Sequence, residues 1–352
     1  MNRREFIGFG ALAGAGAIAR PARAEETPPS APLSAAAKAG TVKFCVFADI
    51  HYKPGPYGFP HSTKEWLGKI LARAEREHCD FVIHCGDMSH NPKADKDYVD
   101  YYNSFKLPTY HTVGNHETNG CTYAEMLEAY KLENGYYHFD RNGFRFIVVD
   151  TNYYVRSDGS AFPFGDPSHE KQKGEKWGAI PAEELAWLKK TIDESPYPCV
   201  TFSHLSFERA AGKKAVRDVF AAANAKTPGK VRLSINGHYH TDFFRILDQV
   251  AYLDMNSASY QWIGSKNAHG NYPEEFFKSQ NLKPRKVPFL AYDDPLCAVV
   301  TLSADGGMKI DGMRSTFACG VTPAQCKHVL DYHSRETTPF VQSVDLKFRY
   351  GA

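Results

Sequence analysis

Five short polar motifs, each placed directly after an apolar run, constrain the fold of this chain more than any other feature. Short apolar runs with helix-like segments between them predict β-strands connected by helices. In such sheets, ligands bind in the crevice outside the carboxyl ends of the strands. The sequence therefore predicts that the motifs converge at one edge of the sheet. They comprise Asp49 and His51; Gly86 and Asp87; Gly114, Asn115, His116 and Glu117; His204; and Gly237, His238, Tyr239 and His240.

The hydrophobic periodicity predicts an α/β fold. Strands are predicted at residues 42–49, 81–85, 110–113, 136–140, 144–150, 199–203, 231–236, 243–247, 251–256, 296–302 and 308–313. Helices are predicted at residues 64–78, 94–105, 122–130, 213–225 and 323–330, with a further one starting near Pro181. Two stretches show no regular pattern, a polar and aromatic insert at 151–180 and an irregular, aromatic segment at 257–295. A loop as long as the insert is usually functional or mobile. We expect it to form one wall of the crevice in which ligands bind.

The amino-terminal segment is typical of an export signal. Arg3 and Arg4 precede a short apolar run, and Ala22-Arg23-Ala24 matches a cleavage pattern. We interpret residues 1–24 as a signal peptide that resembles the twin-arginine type; a plain secretory signal or an amphipathic helix are the alternatives. A Pro/Ala/Ser-rich leader follows at 25–40. The expected product is a soluble periplasmic or otherwise exported protein, with its core at 41–256 and the rest of the fold plus a carboxyl-terminal lobe at 257–352.

The charge balance argues against two classes of partner. The whole chain has a net charge of +2, but residues 1–24 hold four arginines and one glutamate, so the remainder carries 38 basic against 39 acidic residues, or −1. A chain without a basic excess lacks the electrostatic footprint of a nucleic-acid or anionic-membrane binder. After the signal, no segment is apolar enough over a sufficient length to span a bilayer. We expect neither nucleic-acid binding nor integral membrane association; the oligomeric state is left open.

Five of the eight cysteines fall into two groups. Cys45, Cys85 and Cys199 lie within apolar runs and are predicted to be buried thiols. Cys319 and Cys326 flank a short segment with Gly and Pro and form the best candidate for a disulfide in an oxidising compartment. No CxxC spacing is present, which argues against a zinc ribbon or a thioredoxin-type site.

The motif residues supply seven oxygen and nitrogen ligands and one spare histidine, as a two-metal hydrolytic site requires. In this order they resemble the signature set of the calcineurin-like metallophosphoesterases, from Val42 to about Thr241. The resemblance implies a four-layer α/β/β/α sandwich of two mixed sheets flanked by helices. It further implies two metal ions (Fe, Mn or Zn) that Asp87 bridges. The first ion would be held by Asp49, His51 and His240, and the second by Asn115, His204 and His238.

The implied activity is hydrolysis of a phosphate ester, as a monoesterase or a diesterase. The resemblance assigns in-line attack to a metal-activated hydroxide. To His116, the spare histidine, we assign the donation of a proton to the leaving group. The partner is then a small-molecule phosphate ester. Two alternatives stay open: a non-catalytic module that retains the fold for binding, and a pyrophosphatase-type hydrolase of nucleotide-sugars or phospholipid headgroups.

One departure from a branch of the superfamily concerns metal identity. Purple acid phosphatases have an Asp-x-Gly motif and a ligating tyrosine three residues after the Gly-Asp aspartate. This chain has His51 in place of that glycine and His90 in place of that tyrosine. A purple, tyrosinate-bound ferric site is therefore not expected, and His90 is predicted to support a ligand or contact substrate. Lys53 and Arg209 are further candidates for substrate binding, with solvated surface charges as an equal alternative.

Overall fold

The computed structural model describes residues 40–52, 64–268, 272–279, 281, 283–284, 286–326, 330–331 and 335–349. The predicted signal peptide, nearly all of the predicted leader and Lys53 lie outside these residues. Strands in the described part are β1 (Thr41–Phe47), β2 (Phe81–His84), β3 (Thr109–His111), β4 (Tyr137–Arg141), β5 (Phe144–Val149), β6 (Tyr153–Val155), β7 (Ala161–Pro163), β8 (Lys176–Ala179), β9 (Cys199–Ser203), β10 (Val231–Asn236), β11 (Phe243–Leu247), β12 (Val250–Asp254), β13 (Tyr260–Trp262), β14 (Phe289–Ala291), β15 (Ala298–Ser303), β16 (Gly307–Asp311), β17 (Met313–Arg314), β18 (Phe340–Val341) and β19 (Val344–Lys347).

The helices lie mainly between the strands, as the periodicity predicts. Those described are α1 (Lys64–Arg76), α2 (Lys96–Asn103), α3 (Tyr123–Tyr130), α4 (Ala182–Glu194), α5 (Lys213–Lys226) and α6 (Glu274–Ser279). Helix α3 begins with a capping box, in which the Thr122 side chain accepts the Glu125 amide hydrogen and the Glu125 carboxylate accepts that of Thr122. No helix in this part of the chain has the length and apolar character needed to cross a membrane.

Two mixed six-stranded sheets form the centre of the fold. The first has the order β19-β16-β15-β1-β2-β3, and the second has the order β11-β12-β10-β9-β5-β4. Strands β1, β2 and β3 run parallel to one another, as do β5, β9, β10 and β12. The α/β fold with two mixed sheets is therefore confirmed.

The main core lies between the two sheets. Phe44 of β1 stacks on Phe81 of β2 at 4.9 Å between ring centres, and its edge meets Phe202 of β9 at 5.7 Å. Successive strand residues point to opposite faces, so Phe47 of β1 packs on the other side, with Leu67 of α1. Helices α4 and α5 cover the outer face of the second sheet in the same way. The layers are thus helix, sheet, sheet and helix, which confirms the predicted four-layer order.

Several local predictions are wrong in detail. The insert at 151–180 is not a plain loop, because β6, β7 and β8 form a three-stranded sheet within it. The segment at 257–295 contains the β13–β14 pair and α6. The helix predicted at 323–330 is a 3₁₀ turn, Pro323–Cys326, while residues 327–329 lie outside the described part. These elements are only three to six residues long, and so short a stretch carries almost no periodic signal.

The disulfide prediction is not supported either. Cys319 is an exposed free thiol in the structure, and the side chain of Cys326 is not among those described. Short spacing alone does not bring two Cβ atoms within bonding range, because the backbone between them sets their direction. Cys45, Cys85 and Cys199 are buried free thiols, as expected.

Candidate metal centre

The site lies where strands from both sheets end. In the first sheet, Asp49, Asp87 and Asn115 follow the carboxyl ends of β1, β2 and β3. In the second sheet, His204 follows β9 and His238 follows β10. The prediction of convergence at strand ends is right, but the single edge predicted for it is wrong. The side chains meet across the cleft between two sheets, because the sandwich places both sets of parallel strand ends on the same side.

One buried group contains Asp49, His51 and His240. Its ligand atoms all lie within 4.8 Å of one another. Nε2 of His51 is 3.0 Å from Nε2 of His240, and the latter is 3.6 Å from Oδ1 of Asp49. Two nitrogens and one oxygen that face each other at such distances form a compact donor set for a small cation.

A second group contains Asp87, His204 and His238, again with ligand atoms within 4.8 Å of one another. Nε2 of His204 is 3.3 Å from Oδ2 of Asp87 and 3.2 Å from Nδ1 of His238. The amide oxygen of Asn115 lies 3.0 Å from the same His204 nitrogen. The four side chains therefore present two nitrogens and two oxygens to one point.

Asp87 connects the two groups. Its Oδ2 atom is 3.3 Å from Nε2 of His204 in the second group and 3.9 Å from Nε2 of His51 in the first. Its Oδ1 atom accepts the backbone N–H of His116 at 2.8 Å, which fixes the rotation of the carboxylate. One carboxylate oxygen is thus directed at both groups.

Backbone carbonyls fix the tautomers of two histidines. Nδ1 of His204 donates to the carbonyl oxygen of Cys85 at 2.8 Å, and Nδ1 of His240 donates to that of Tyr260 at 2.8 Å. In each neutral ring, Nε2 then carries the lone pair and points into the site. This arrangement typically orients metal-binding histidines, so the residues present fit two cations.

Burial keeps most of these rings neutral. It lowers the pKa of His238 to about 3 and that of His240 to about 4, and it lowers the pKa of His51 well below its usual value. At His204, burial also disfavours the charged form, but the attraction of Asp87 outweighs it and raises the pKa to about 10. Neutral imidazole is the form that binds metals, so cation binding at the second group must displace the His204 proton.

The backbone at the site is strained. Of the twelve non-glycine residues with a positive φ in the described part, five belong to the two groups. Each such residue costs about 1–3 kcal/mol, and residues of this kind cluster at functional sites. Hydrogen bonds hold the turns in place, including those from Asp49 N–H to the Gly86 oxygen (3.0 Å) and from His51 N–H to the Asp87 oxygen (2.9 Å). The five are Asp49 (φ 53°), His51 (51°), Asp87 (53°), His238 (72°) and His240 (48°).

Gly237 is required by close packing. A Cβ atom at this position would lie 2.6 Å from Oδ2 of Asp49 and 2.7 Å from the carbonyl oxygen of Cys85. Any side chain here would displace a carboxylate of the first group. The glycine of the Gly-His-x-His motif therefore makes room for the ligands.

Glu117 has a positioning role that the sequence analysis did not assign. Its buried carboxylate accepts the Met88 N–H at 2.7 Å, the Asp87 N–H at 3.2 Å and the Tyr130 hydroxyl at 3.0 Å. Burial and the neighbouring Asp87 raise its pKa to about 8. Glu117 thus holds the turn that carries the central aspartate. The motif contains this residue, but nothing in the sequence says which amides it caps.

Glu117→Ala is expected to lower the free energy of unfolding by about 1–3 kcal/mol, because two buried amides lose their acceptor. Metal affinity should fall as well, since the Asp87 turn loses its support. Urea denaturation of the metal-free protein measures the first effect, and zinc titration measures the second. Glu117→Gln, which keeps one carbonyl oxygen, is the control and should lose less. A stability equal to that of the wild type would contradict this role.

A buried histidine pair supports the same turn from below. Nδ1 of His84 accepts the Gly86 N–H at 3.2 Å, and Nε2 of His84 donates to Nδ1 of His111 at 2.8 Å. Nε2 of His111 then donates to Oδ1 of Asn103 at 2.6 Å. Burial lowers the pKa of His84 well below its usual value and that of His111 to about 3. Both rings are therefore neutral in the folded protein.

This pair predicts acid sensitivity. The unfolded chain binds protons at histidine below about pH 6.5, whereas folded His111 stays neutral to about pH 3, so stability falls as the pH falls through that window. The loss approaches ~1.4 kcal/mol per pH unit for each such histidine. Urea denaturation of metal-free protein at pH 7.5 and at pH 5 should show a smaller difference in His111→Gln than in the wild type. His78→Gln, on an exposed turn, is the matched control; an identical pH dependence in His111→Gln would refute the assignment.

The other predicted site residues lie around the two groups. The His116 side chain is 38% exposed, and its Nε2 is 4.0 Å from Oδ2 of Asp87. His90 lies between His51 and His116, with its Nε2 3.2 Å from Nδ1 of His51 and its ring centre 4.7 Å from that of His116. These three histidines form a third set with nearby ligand atoms. Arg209 places its guanidinium over the Tyr239 ring at 5.3 Å.

Aromatic side chains wall the cleft on two sides. Trp177 of the insert meets the ring of His238 at 5.4 Å between centres, and Tyr260 of β13 stacks on His51 at 5.1 Å. The insert therefore borders the site, as expected. Tyr260 was missed, because it lies in the segment whose sequence shows no regular pattern.

The sequence model of the calcineurin-like phosphoesterases matches residues 42–242. This chain belongs to that family. The matched stretch covers more than half of the chain and contains every residue of the two ligand groups. No curated protein matches this family member significantly.

Several solved structures are similar to this chain at low sequence identity. A dimetal phosphatase from Danio rerio is 16% identical with a TM-score of 0.53, over 79% of this chain and 98% of that one. GAP50, described as the anchor in the inner membrane complex of Plasmodium, is 13% identical with a TM-score of 0.48, over 88% and 90%. A putative 5′-nucleotidase from Staphylococcus aureus is 14% identical with a TM-score of 0.42, over 79% and 54%.

Proposed function

We propose that this family member is a hydrolase of phosphate esters that works with two bound metal ions. The observation that carries the proposal is the position of Oδ2 of Asp87, which is 3.3 Å from a ligand nitrogen of one buried group and 3.9 Å from one of the other. A carboxylate between two imidazole-rich groups offsets the mutual repulsion of two cations held close together.

The proposed ligands are those of the two groups. Asp49, His51 and His240 would hold the first ion, Asn115, His204 and His238 the second, and Asp87 both. When bound, the ions polarise the phosphoryl group and make water acidic enough to supply the nucleophile near neutral pH. Imidazole and carboxylate ligands suit Fe, Mn or Zn. Because His90 replaces the ligating tyrosine of the purple enzymes, we propose that the protein is not purple.

His116 is the proposed proton donor to the leaving alkoxide. Its ring reaches the mouth of the cleft, where 38% of the side chain is exposed, and its Nε2 lies 4.0 Å from Oδ2 of Asp87. The Asp87 carboxylate also fixes the His116 backbone N–H. In this proposal the His116 ring delivers its proton to an alkoxide that departs at the mouth of the cleft.

The cleft walls bear on substrate class. Trp177 and Tyr260 flank the two groups, so an organic ester group can lie against an aromatic surface. We propose a small-molecule phosphate ester, monoester or diester, as the substrate, with Arg209 as a candidate contact for a phosphate oxygen. Pyrophosphate linkages of nucleotide-sugars and phospholipid headgroups are the alternative substrates.

The test is to assay a panel of phosphate esters with metal-free protein and with protein reloaded with single metals. Protein stripped with a chelator and reloaded with Zn, Mn or Fe is assayed against phosphomonoesters, phosphodiesters and nucleotide-sugars. The proposal expects no turnover without metal and turnover restored by at least one cation, and the preferred bond identifies the substrate class. Binding of esters without turnover under every condition would instead favour the non-catalytic module.

We also propose that the protein is exported through the twin-arginine route, on the basis of Arg3 and Arg4 and the cleavage pattern that ends at Ala24. Changing both arginines to lysine keeps the charge and should retain the protein in the cytoplasm. Fractionation of cells that produce each form measures the result. Unchanged periplasmic yield of the double variant would refute the route.

A further inference from the structure

We propose that Asn119 is a positioning residue that sets the tautomers of His90 and His116 through its amide oxygen, and so connects the first metal group to the proton donor. The inference rests on the proposed function, because it assigns Nε2 of His51 as a metal ligand. It concerns four side chains in a row: His51, His90, Asn119 and His116.

The distances define a continuous chain of contacts. Nδ1 of His51 lies 3.2 Å from Nε2 of His90. The terminal amide of Asn119, by its Nδ2 position, lies 3.1 Å from Nδ1 of His90 and 2.7 Å from Nδ1 of His116. The backbone N–H of Asn119 also donates to the His116 carbonyl oxygen at 3.1 Å, which holds the amide beneath the ring.

The orientation of this amide follows from the chemistry of the network. The nitrogen and oxygen ends of an amide exchange places by a half-turn, so the hydrogen-bond partners decide which end faces the rings. If Nε2 of His51 carries its lone pair into the first group, its hydrogen is on Nδ1 and must be donated to Nε2 of His90. Neutral His90 then carries its own hydrogen on Nδ1, and at 3.1 Å that hydrogen needs an acceptor. The amide atom at that distance must therefore be the oxygen of Asn119, because an NH₂ group there would direct one hydrogen at another.

The same oxygen then acts on His116. With two lone pairs, it accepts a second hydrogen, from Nδ1 of His116 at 2.7 Å. The hydrogen on Nδ1 is thereby retained on the outer side of the ring, and the nitrogen that exchanges a proton with the leaving group is Nε2, which faces Asp87. The opposite orientation, with the amide NH₂ towards the rings, would put a hydrogen on Nε2 of His51 and remove a ligand from the first group.

Two substitutions separate these orientations. In Asn119→Asp the side chain can only accept hydrogen bonds, and in Asn119→Ala it can neither accept nor donate them. Zinc affinity, measured by competition with a chelator on the full-length protein, should weaken about tenfold in Asn119→Ala, since partners that orient metal-binding histidines contribute about 10–100-fold. In Asn119→Asp it should be no weaker than in the wild type. Turnover of a poor-leaving-group ester should fall in kcat with little change in KM for Asn119→Ala, and recover in Asn119→Asp.

Asn91→Ala is the matched control. The Asn91 amide donates to the Gly120 carbonyl oxygen at 2.9 Å and so holds the same loop from the other side. Zinc affinity in Asn91→Ala should stay within about threefold of that of the wild type. A loss as large as that of Asn119→Ala would mean that loop placement, not the tautomers, is the cause, and would overturn the inference.

Nitrogen NMR of the wild-type protein reports the histidine tautomers directly and so avoids the charge that Asn119→Asp adds. Nitrogen NMR of histidine-labelled, zinc-loaded protein, with the His90 signals identified by their absence in His90→Gln, should show hydrogen on Nδ1 and a bare Nε2. The opposite pattern would overturn the inference. If the wild type shows the expected pattern but hydrolyses no phosphate ester, the proposed function fails while the tautomer assignment stands.

Discussion

Asp87→Asn is expected to reduce bound metal from two equivalents to one or fewer and to lower turnover by a factor of about 10³ or more. The Oδ2 atom that would join both ions lies 3.3 Å from His204 and 3.9 Å from His51, and asparagine offers neither its charge nor a second oxygen. Two cations without a shared anion repel each other, and several kcal/mol of transition-state stabilisation are lost with them. Elemental analysis and kcat of the same preparation measure both effects.

A buried carboxylate outside the two groups serves as the control for Asp87→Asn. Asp150 is fully buried and accepts hydrogen bonds from the Tyr123 hydroxyl at 2.6 Å and the Asn152 N–H at 2.8 Å. Asp150→Asn should retain two metal ions, whatever it costs in stability. An Asp87→Asn protein with two ions and full activity would contradict the assigned bridge.

His116→Ala is expected to leave the metal content unchanged, in contrast to Asp87→Asn. We expect two ions to stay bound, because none of the proposed ligands is removed, while turnover falls by ~10²–10⁴. The loss should be largest for esters with poor leaving groups, since these need the proton most. A series of aryl and alkyl phosphates, compared in the wild type and the variant, measures the dependence on the leaving group. Equal losses across the series would argue against proton donation, and His78→Ala on an exposed turn is the control.

The ligand positions could be predicted from the sequence because they depend on simple geometry. Residues that follow parallel strands share one side of the sheet, so Asp49, Asp87 and Asn115 were placed correctly by their neighbours in sequence. The same reasoning put His204 and His238 at strand ends but not in a second sheet. Strand pairing between distant segments sets the number of sheets, and periodicity carries no information about it.

The remaining features of the site depend on contacts between distant parts of the chain. Tyr260 stacks on His51 only because β13 pairs with β14, which lies almost thirty residues later. Glu117 caps amides about thirty residues away, and Asn119 meets His90 across the same distance. Such contacts depend on how distant segments of the chain pack together, and the residues involved follow no period. The sequence can name the motif that holds them, but it cannot name their partners.

Anomalous diffraction from crystals of zinc-loaded protein would locate the ions that the two-metal proposal requires. We expect two peaks about 3.5–4 Å apart, one beside His240 and one beside His204, with the Asp87 carboxylate between them. A single peak, or peaks outside the two buried groups, would contradict it.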